Sequence, residues 1–469
     1  MARRVAAGSG EAGLALHWPG RGHAWPVAGP SLPPDLGHRE SWPGLAAETP
    51  GMLFHGSNRD MLDWVAAAQP ASIDLVYMDP PFAVGQVFSY APPGSVERRV
   101  PAYDDRWRGG RAAYVAEMAP LLPAVAQVLA PGGFLVVHCD WRTDAVWRML
   151  LDELLGETCF RNAIMWRRAP NLGRQAASRQ LGRVLDTLLV YARTPDASFP
   201  GPPPTRFVRV PVDREGRPRG AQWDEVKGAW FVTAPRGDYT DASLERLASE
   251  GRVHHTRTGK VGIKYFLEPD GQGGWGRRQR LDTLWDDEGV RPLRHAPRSE
   301  VLGYETQKPE ALLIRILQWM VPPGGTVMDP FAGSGTTLAV AQRLGLRWLG
   351  ADSSLVSLHV TIRRLRRQHA AVTVWARAGM TWPDGDVGLA WVDAGATLRE
   401  PEDTGPSGIA GWAVGWLDRD GCLEVVEVAE RPTVAGGLAT FMPLPARASG
   451  RRAGLIWTWE GSRFLVQEP

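Results

Sequence analysis

The sequence predicts an α/β fold built on a parallel sheet, and three features of the chain support this class. Short apolar runs alternate with helical periodicity in two separate parts, 51–198 and 301–370. About 100 residues with weak periodicity and many arginines separate these parts. In each part a strand-like run ends on an aspartate followed by a turn, as at the carboxyl edge of a parallel sheet. With 469 residues and 44% apolar content, the chain can bury a large core.

The first part opens with a βαβ pattern. A strand is predicted at Met52–Gly56, a helix at Asp60–Ala68 and a second strand at Ile73–Asp79. A helix follows, because apolar residues recur at three and four positions: Tyr114, Met118, Leu121, Leu122, Val125, Val128 and Leu129. The strand Phe134–Asp140 comes next and is apolar enough to be buried on both faces.

Two further strands, Asn162–Arg168 and Leu185–Arg193, complete the first part. The second part resumes with a helix at Glu310–Met320 and a strand at Thr326–Asp329. It continues as helix, strand and helix over 336–345, 347–352 and 358–367. The two parts therefore supply halves of one α/β architecture.

The rest of the chain has a different character. Gly and Pro dominate residues 1–50, where we expect an irregular arm with one short strand near Leu14–Gly20. The proline cluster at 199–205 marks a boundary, and beyond a linker at 401–408 the sequence alternates around an Asp-Gly turn like a β-hairpin. We therefore predict five parts: an arm 1–50, a first half 51–198, an insertion 199–300, a second half 301–370 and a β-rich domain 371–469.

Composition excludes several classes of protein. The three cysteines are too far apart for a zinc knuckle, and their odd number argues against a complete disulfide framework. His254 and His255 lack partners at metal-ligand spacing, so no metal is predicted. No apolar run is long enough to span a membrane, and we expect a cytoplasmic, nucleoid-associated protein. The net charge is +2, but 161–300 holds 25 basic and 17 acidic residues, so the basic charge is concentrated in the middle.

The stretch DPFAGSGTT, Asp329–Thr337, lies between a predicted strand and a predicted helix. Its small residues allow the backbone to approach a ligand and to direct amide groups toward it. An ordinary glycine-rich turn is the alternative. Asp352 ends the next strand 19 residues after Gly333, near the spacing at which a carboxylate binds ribose hydroxyls, and this favours a nucleotide-like ligand.

The tetrapeptide DPPF, Asp79–Phe82, follows a strand directly. Alone it fits a turn in which Asp79 caps and Pro81 stiffens the loop. If both halves belong to one sheet, however, this loop lies beside the glycine-rich turn at the carboxyl edge, where ligands bind. The two motifs together favour a functional site.

These motifs, their order, and YETQKP at Tyr304–Pro309 resemble the S-adenosylmethionine-dependent DNA amino-methyltransferases of the permuted class that modifies adenine N6 or cytosine N4. The resemblance covers about 52–367. It implies a Rossmann-like methyltransferase sheet, circularly permuted, with 51–198 as the catalytic half and 301–370 as the cofactor-binding half. It also implies that the insertion 199–300 is a target-recognition domain.

The resemblance assigns roles to individual residues. The catalytic residues are Asp79, Pro80, Pro81 and Phe82. S-adenosyl-L-methionine is expected to contact Asp329, Phe331, Ala332, Gly333, Ser334, Gly335, Thr336 and Asp352, with Thr306, Gln307, Lys308 and Pro309 forming a wall. Ser57 stands where the family commonly has an aspartate, so an adenine-side contact is missing or is supplied by Asn58 or Asp60.

An exocyclic base amine is a poor nucleophile, because its lone pair is delocalised into the ring. The Asp79 carboxylate and the Pro80 carbonyl can each accept an N–H bond and free that pair, while Phe82 can stack on a flipped base. The family pairs an aspartate at this position with adenine N6, which is the preferred target, and cytosine N4 is the alternative. Cytosine C5 chemistry is disfavoured because no cysteine follows a proline.

Double-stranded DNA is the expected partner. Arg277, Arg278 and Arg280 are candidates for phosphate or guanine contacts, although a solvated charge explains any one of them more simply. Three tryptophans of the insertion can stack on bases, but we assign them to its core: Trp223, Trp230 and Trp275. A restriction endonuclease and a second copy of the chain remain open as partners. A non-catalytic DNA-binding module and a methyltransferase of protein or RNA are the rival functions.

Overall fold

The structure, a computed structural model, describes residues 36–42, 51–91, 99–170, 179–256, 259–377, 389–392, 395–398, 409–417, 423–430, 441–444, 451–458 and 463–467. The described residues form two compact units, one made of 1–202 with 283–469 and the other of Pro203–Asp282.

The N-terminal segment of the first unit alternates strands and helices. Its strands are β1 Leu36–Trp42, β2 Gly51–His55, β3 Ile73–Met78, β4 Val87–Tyr90, β5 Val100–Asp104, β6 Leu129–Cys139, β7 Phe160–Arg167 and β8 Leu185–Ala192. Its helices are α1 Asn58–Ala68, α2 Gly110–Met118, α3 Leu122–Val128 and α4 Asp144–Leu155, with short 3-10 turns at Ala119–Leu121 and Glu157–Cys159.

The second unit contains most of the small strands. They are β9 Thr205–Val210, β10 Gln222–Asp224, β11 Ala229–Pro235, β12 Val253–His255, β13 Val261–Phe266, β14 Glu268–Pro269 and β15 Trp275–Arg280, with helix α5 Asp241–Ser249. They pair as a four-stranded sheet, β10-β11-β13-β12, and a three-stranded sheet, β14-β15-β9.

The first unit resumes with strand β16 Leu284–Trp285 and 3-10 turns at Glu288–Val290 and Leu293–His295. Helices α6 Glu310–Met320, α7 Thr336–Arg343 and α8 Leu355–Arg366 alternate with strands β17 Thr326–Asp329, β18 Arg347–Asp352 and β19 Val372–Arg377. The remaining strands are β20 Leu389–Val392, β21 Gly395–Leu398, β22 Ile409–Leu417, β23 Leu423–Glu430, β24 Phe441–Pro443, β25 Arg451–Thr458 and β26 Arg463–Gln467.

One large sheet joins the two halves of the chain, in the order β16-β7-β8-β6-β3-β17-β18-β2-β19-β1-β23-β22-β25-β26. Its centre, β6 through β19, is parallel. The junction is β3 beside β17, with Leu75 opposite Val327 and Val76 opposite Met328. Parallel pairing places the ends of β3, β17, β18 and β2 at one edge, although about 250 residues separate β3 from β17 in the chain.

Helices cover both faces of this sheet. On one face, α1, α3 and α4 pack on a core that includes Val76, Met78 and Leu349. Side chains alternate along a strand, so Gly350 faces the opposite side, where a Cβ would lie 2.5 Å from the Leu338 side chain of α7. The glycine therefore lets α7 pack closely, and the predicted α/β fold built on a parallel sheet is confirmed.

Several predicted boundaries need correction. The arm 1–50 is not wholly irregular, because β1 pairs antiparallel with β19. The β-rich domain predicted for 371–469 is not separate from the first unit, because 283–469 clusters with that unit and β19, β22, β23, β25 and β26 are strands of the main sheet. Both errors concern pairing between distant segments, which local periodicity does not encode. The strand suggested near Leu14–Gly20 and the linker at 401–408 lie outside the described residues.

The range predicted for the insertion, 199–300, includes all residues of the second unit, Pro203–Asp282. Its last part, 283–300, belongs to the first unit instead. The antiparallel pairing of β22 with β23 confirms the C-terminal hairpin. In the part of the chain that the structure describes, no helix is long and apolar enough to cross a membrane.

Candidate functional site

The DPPF loop begins directly after β3 and lies at the carboxyl edge of the sheet. Pro80 is buried, and Asp79, Pro81 and Phe82 are half-buried. The Phe82 ring lies 5.7 Å from the buried His138 ring, which limits its movement. Ala83 then adopts a positive φ of 56°, which turns the chain sharply.

Asp79 forms an ion pair with Lys308, through Oδ2 and Nζ. The two residues come from opposite halves of the chain, so this contact brings the DPPF loop and the TQKP loop together. The Lys308 ammonium also lies 5.1 Å from the Phe82 ring centroid. The other carboxylate oxygen, Oδ1, is buried and has no hydrogen-bond partner in the described part of the chain.

The glycine-rich turn joins β17 to α7. Gly333 and Gly335 have φ of 53° and 70°, values that glycine adopts without steric cost. Asp352 fixes this turn, because its Oδ2 accepts the Gly333 N–H at 2.8 Å and its Oδ1 accepts the Ser354 N–H at 2.8 Å. Burial raises the pKa of Asp352 above its usual value. Each oxygen keeps lone-pair capacity for a further donor.

A buried ion pair between Arg364 and Glu310 also stabilises the glycine-rich turn. Arg364 on α8 bonds the Glu310 carboxylate at 2.6 Å, the Thr336 hydroxyl at 2.8 Å and the Ser334 carbonyl at 3.3 Å. Thr336 in turn donates to the Lys308 carbonyl at 3.3 Å. The two loops predicted to contact one ligand are thus bonded to each other.

A cavity of about 580 Å³ opens between the DPPF loop and the glycine-rich turn. Most of the predicted site residues line it: Asp79, Pro80, Pro81, Phe82, Thr306, Lys308, Asp329, Phe331, Ala332, Gly333, Ser334, Thr336 and Asp352. Gln307, Pro309 and Gly335 do not line it. Gln307 points elsewhere, because its side chain bonds the Leu302 N–H and the Glu300 carbonyl.

The cavity is acidic. Six carboxylic residues line it, against one lysine among the described residues: Asp79, Asp104, Asp105, Glu117, Asp329 and Asp352, with Lys308. Burial, with smaller contributions from the charges of Asp79 and Asp352, raises the pKa of Asp329 to about 7. An excess of carboxylates favours a cationic ligand. The described residues include no group of three or more His, Cys, Asp or Glu arranged to hold a metal ion.

Sequence reasoning missed the outer wall of the cavity. Tyr103, Asp105 and Trp107, on or just after β5, line it together with Tyr304. The adjacent acids in YDDRW were the available signal, but nothing local shows that this hairpin returns to the DPPF loop. Of the two suggested substitutes for the missing aspartate, Asn58 lines the cavity and Asp60 does not.

The three arginines predicted to contact nucleic acid lie on β15, in the second unit. Arg277 packs 4.4 Å from the Tyr265 ring centroid, and Arg278 lies 3.6 Å from a Glu268 carboxylate oxygen. Alternation along the strand places Arg278 and Arg280 on one face and Arg277 on the other. The assignment of Trp223 to a core is wrong, because this side chain is 45% exposed.

Comparison with known proteins agrees with the geometry. The family model described as DNA methylase matches residues 73–361. Type II methyltransferase M.EcaI of Enterobacter cloacae is 29% identical over 309 residues, covering 62% of this chain and 64% of the relative. The Mod subunit of the type III restriction-modification enzyme StyLTI of Salmonella typhimurium is 23% identical over 325 residues, covering 61% of this chain and 49% of the relative. The match thus spans less than two thirds of either relative.

Two solved structures show weaker similarity. PvuII DNA methyltransferase, described as cytosine-N4-specific, has a TM-score of 0.39 and 14% identity, covering 70% of this chain and 90% of that one. The M1.HpyAVI complex with S-adenosylmethionine has a TM-score of 0.36 and 14% identity, covering 67% and 98%. The family match is the stronger result, since it spans more than half of the chain and includes both the DPPF loop and the glycine-rich turn. The chain therefore belongs to the DNA methylase family, whose members depend on S-adenosyl-L-methionine.

Proposed function

We propose that this protein transfers a methyl group from S-adenosyl-L-methionine to the exocyclic N6 amine of adenine in double-stranded DNA. One observation carries the proposal: Asp79 lines the same cavity as the glycine-rich turn, and its Oδ1 has no hydrogen-bond partner among the described residues. That cavity can hold a methyl donor and an amine side by side. Cytosine N4 is the alternative target, because both amines need the same kind of acceptor.

The residues present fit the cofactor. The volume of the cavity lies within the range typical of cofactor sites. When bound, S-adenosyl-L-methionine supplies an electrophilic methyl group on a sulfonium cation. Asp329 and Asp352 place carboxyl groups beside that cation, whose positive charge favours their ionised forms, and the Asp352 carboxylate retains capacity for ribose hydroxyls. Phe331 and Ala332 offer apolar surface, and Thr306 and Lys308 form the facing wall.

The DPPF loop orients the target amine and makes its nitrogen more nucleophilic. Asp79 Oδ1 and the Pro80 carbonyl each accept one amine N–H, so the nitrogen lone pair is drawn out of the base and directed at the methyl group. Pro80 and Pro81 keep these acceptors oriented, because a proline ring fixes φ. Phe82 presents its ring for stacking on a base flipped out of the duplex. The proton released after transfer passes to the Asp79 carboxylate.

The preference for adenine depends on Asp79 itself. Within the family an aspartate at the first position of this tetrapeptide accompanies adenine N6, whereas a serine accompanies cytosine N4. The carboxylate supports adenine as the target. The sequence read in the DNA depends on the second unit and is not part of this proposal.

Recognition of DNA is assigned to the second unit. Its residues 203–282 include 15 basic and 11 acidic side chains, and β15 exposes Arg278 and Arg280 on one face. Arginines of this kind bind phosphates and guanine edges. The Mod subunit among the relatives belongs to a restriction-modification enzyme, which supports a restriction endonuclease as partner. A protein that binds DNA and works with a restriction endonuclease would act on chromosomal DNA in the cytoplasm.

Sequencing of modified bases tests the proposal. DNA from cells expressing the wild-type chain is expected to carry N6-methyladenine at one short motif, and DNA from cells expressing Asp79→Ala is expected to lack it. N4-methylcytosine at a motif would favour the alternative target. Absence of both bases, with intact protein that binds the cofactor, would support a non-catalytic DNA-binding module.

A further inference from the structure

Asp105 is a buried carboxylate that holds the loop following DPPF. It comes directly after β5, and its side chain is fully buried. Oδ1 accepts the Ala83 N–H at 3.0 Å and Oδ2 accepts the Val84 N–H at 2.8 Å. The Trp107 indole N–H donates to Oδ1 at 2.9 Å. All these donors are neutral, so among the described residues the carboxylate is satisfied by hydrogen bonds and not by an ion pair.

The backbone of Asp105 also forms two hydrogen bonds with the loop that follows Phe82. Its carbonyl accepts the Gly85 N–H at 3.1 Å, and its own N–H donates to the Gln86 carbonyl at 2.9 Å. Residues 83–86, which directly follow Phe82, are therefore all bonded to one residue about 20 positions further along the chain. The positive φ of Ala83 is unfavourable for a residue with a Cβ, so these bonds also stabilise a backbone conformation that the loop would not hold alone.

The hairpin that carries Asp105 is attached to the facing wall as well. Glu305 Oε2 accepts the Ser89 N–H at 2.7 Å, and the Glu305 N–H donates to the Ser89 carbonyl at 3.2 Å. Tyr90 pairs with Tyr304 in an isolated bridge. One hairpin, β4 with β5, thus connects the DPPF loop to the segment that leads into Lys308.

We propose that Asp105 is a positioning residue for methyl transfer: by fixing Ala83 and Val84 it aims the Phe82 ring and the Pro80 carbonyl at the target base. The proposal rests on the proposed function, since it concerns the geometry of the same reaction. Asp105 acts through the loop and takes no part in the transfer itself. Small displacements of groups that orient a substrate reduce rates strongly.

The substitution Asp105→Asn tests this role. The amide has the same shape but presents an NH₂ group to one of the loop N–H donors, so at least one loop bond is lost. The single-turnover rate of methyl transfer is expected to fall about 10- to 100-fold. Binding of S-adenosylhomocysteine, measured by calorimetry, is expected to weaken much less than the rate falls, because the hydrogen bonds that the structure shows for Asp105 go to residues 83–86 and Trp107 and not to the glycine-rich turn.

Two further measurements separate positioning from general stability. Asp74→Asn is the matched control: Asp74 also accepts a backbone N–H, from Thr326 at 2.7 Å, but at the opposite edge of the sheet. Its thermal midpoint is expected to fall while its rate stays near the wild-type value. Fluorescence of 2-aminopurine in place of the target base reports stacking in the flipped state, and Asp105→Asn is expected to alter it.

A folded Asp105→Asn protein with the wild-type rate would overturn the proposal, as would an equal loss of rate in Asp74→Asn. Hydrogen exchange gives a readout that needs no activity. The amides of 82–86 are expected to exchange faster in Asp105→Asn, and unchanged exchange would also overturn the proposal. If the wild-type protein methylates no DNA, the proposed function fails, while the exchange measurement still decides whether Asp105 fixes the loop.

Discussion

Asp79 and Lys308 form an ion pair although they come from opposite halves of the chain. Both side chains are largely buried, with 17% and 12% exposure. Separating such a pair leaves a charge in a poorly solvated place, which is costly. The pair also leaves Asp79 Oδ1 free for a second donor. Lys308, assigned from sequence to the cofactor wall, therefore also contacts the DPPF loop directly.

A double-mutant cycle measures the interaction energy between the Asp79 and Lys308 side chains. Lys308→Met is expected to lower the free energy of unfolding by about 1–3 kcal/mol, because Asp79 then lacks its counter-charge. The loss is expected to shrink by at least about 0.5 kcal/mol in the Asp79→Asn background. Urea unfolding of the four proteins supplies the values. Additive effects would show that the two side chains do not interact in solution.

The raised pKa of Asp329 predicts a pH-dependent contribution to stability. Its value of about 7 in the folded protein exceeds the usual 3.8, because burial disfavours the charged form. The folded state therefore binds a proton more tightly than the unfolded state, and stability is lost as the pH rises from about 4 to about 7. Above that range the contribution is constant.

Asp329→Asn removes this titration. The stability of the variant relative to wild type is expected to improve as the pH rises from 4.5 to 7.5, by up to about 1.4 kcal/mol per pH unit. The amide oxygen can still accept the Phe331 N–H that Asp329 accepts at 2.9 Å. Urea unfolding at several pH values checks the slope. A difference between the two proteins that does not vary with pH would contradict the assignment.

At the scale of single elements, the turn between β17 and α7 depends on glycine for two reasons. Gly335 has a left-handed backbone, and a Cβ there would lie 2.7 Å from the Thr361 side chain. Thr361 also donates to the Gly333 carbonyl at 3.1 Å. A methyl group at 335 would therefore disturb the turn at both glycines.

Gly335→Ala is expected to weaken binding of S-adenosylhomocysteine by more than about tenfold and to destabilise the protein by more than the roughly 1–2 kcal/mol of backbone strain. Gly324→Ala is the control, because Gly324 has a similar φ of 71° and open space around its Cβ position. It is expected to show the strain alone and to keep its ligand affinity. Calorimetry and urea unfolding separate the two effects. Equal ligand affinity in both variants would refute this account of the turn.

Local chemistry explains which elements were predictable. The helix Glu310–Met320 was predicted with its observed bounds, since Pro309 precedes it and the PPGG turn follows soon after its last residue. The strand Thr326–Asp329 lies between that turn and the glycine-rich turn, and was also predicted with its observed bounds. In contrast, β1 and β19 pair with segments far away in the chain, and their neighbours in the sheet leave no local signature.

At the scale of the whole molecule, charge is divided between the two units. Residues 203–282 carry a net charge of +4, whereas the entire chain carries +2. The remainder is therefore slightly acidic, in keeping with the acidic cavity. This division of charge is what the proposed function requires, with phosphates attracted to the basic unit and a cationic cofactor to the acidic cavity.

The double substitution Arg278→Gln with Arg280→Gln tests this division. If these side chains contact phosphates, the slope of log affinity for DNA against log salt concentration should decrease by about 1 for each arginine removed. Arg347→Gln is the control, because Arg347 is exposed at the amino end of β18, away from the cavity. Titrations of labelled DNA at several salt concentrations give the slopes. An unchanged slope in the double variant would remove these arginines from the interface.

The sequence by itself determined the α/β class, most elements of the central sheet, the two motifs and their order, because strand and helix periodicity and glycine and proline turns are local properties of the chain. Only the tertiary structure decided that β3 and β17 are neighbours, that Lys308 reaches Asp79, and that Asp105 returns to hold the loop after Phe82. These contacts join residues up to about 250 positions apart. They arise from the packing of the whole sheet and its hairpin, which no short stretch of sequence specifies.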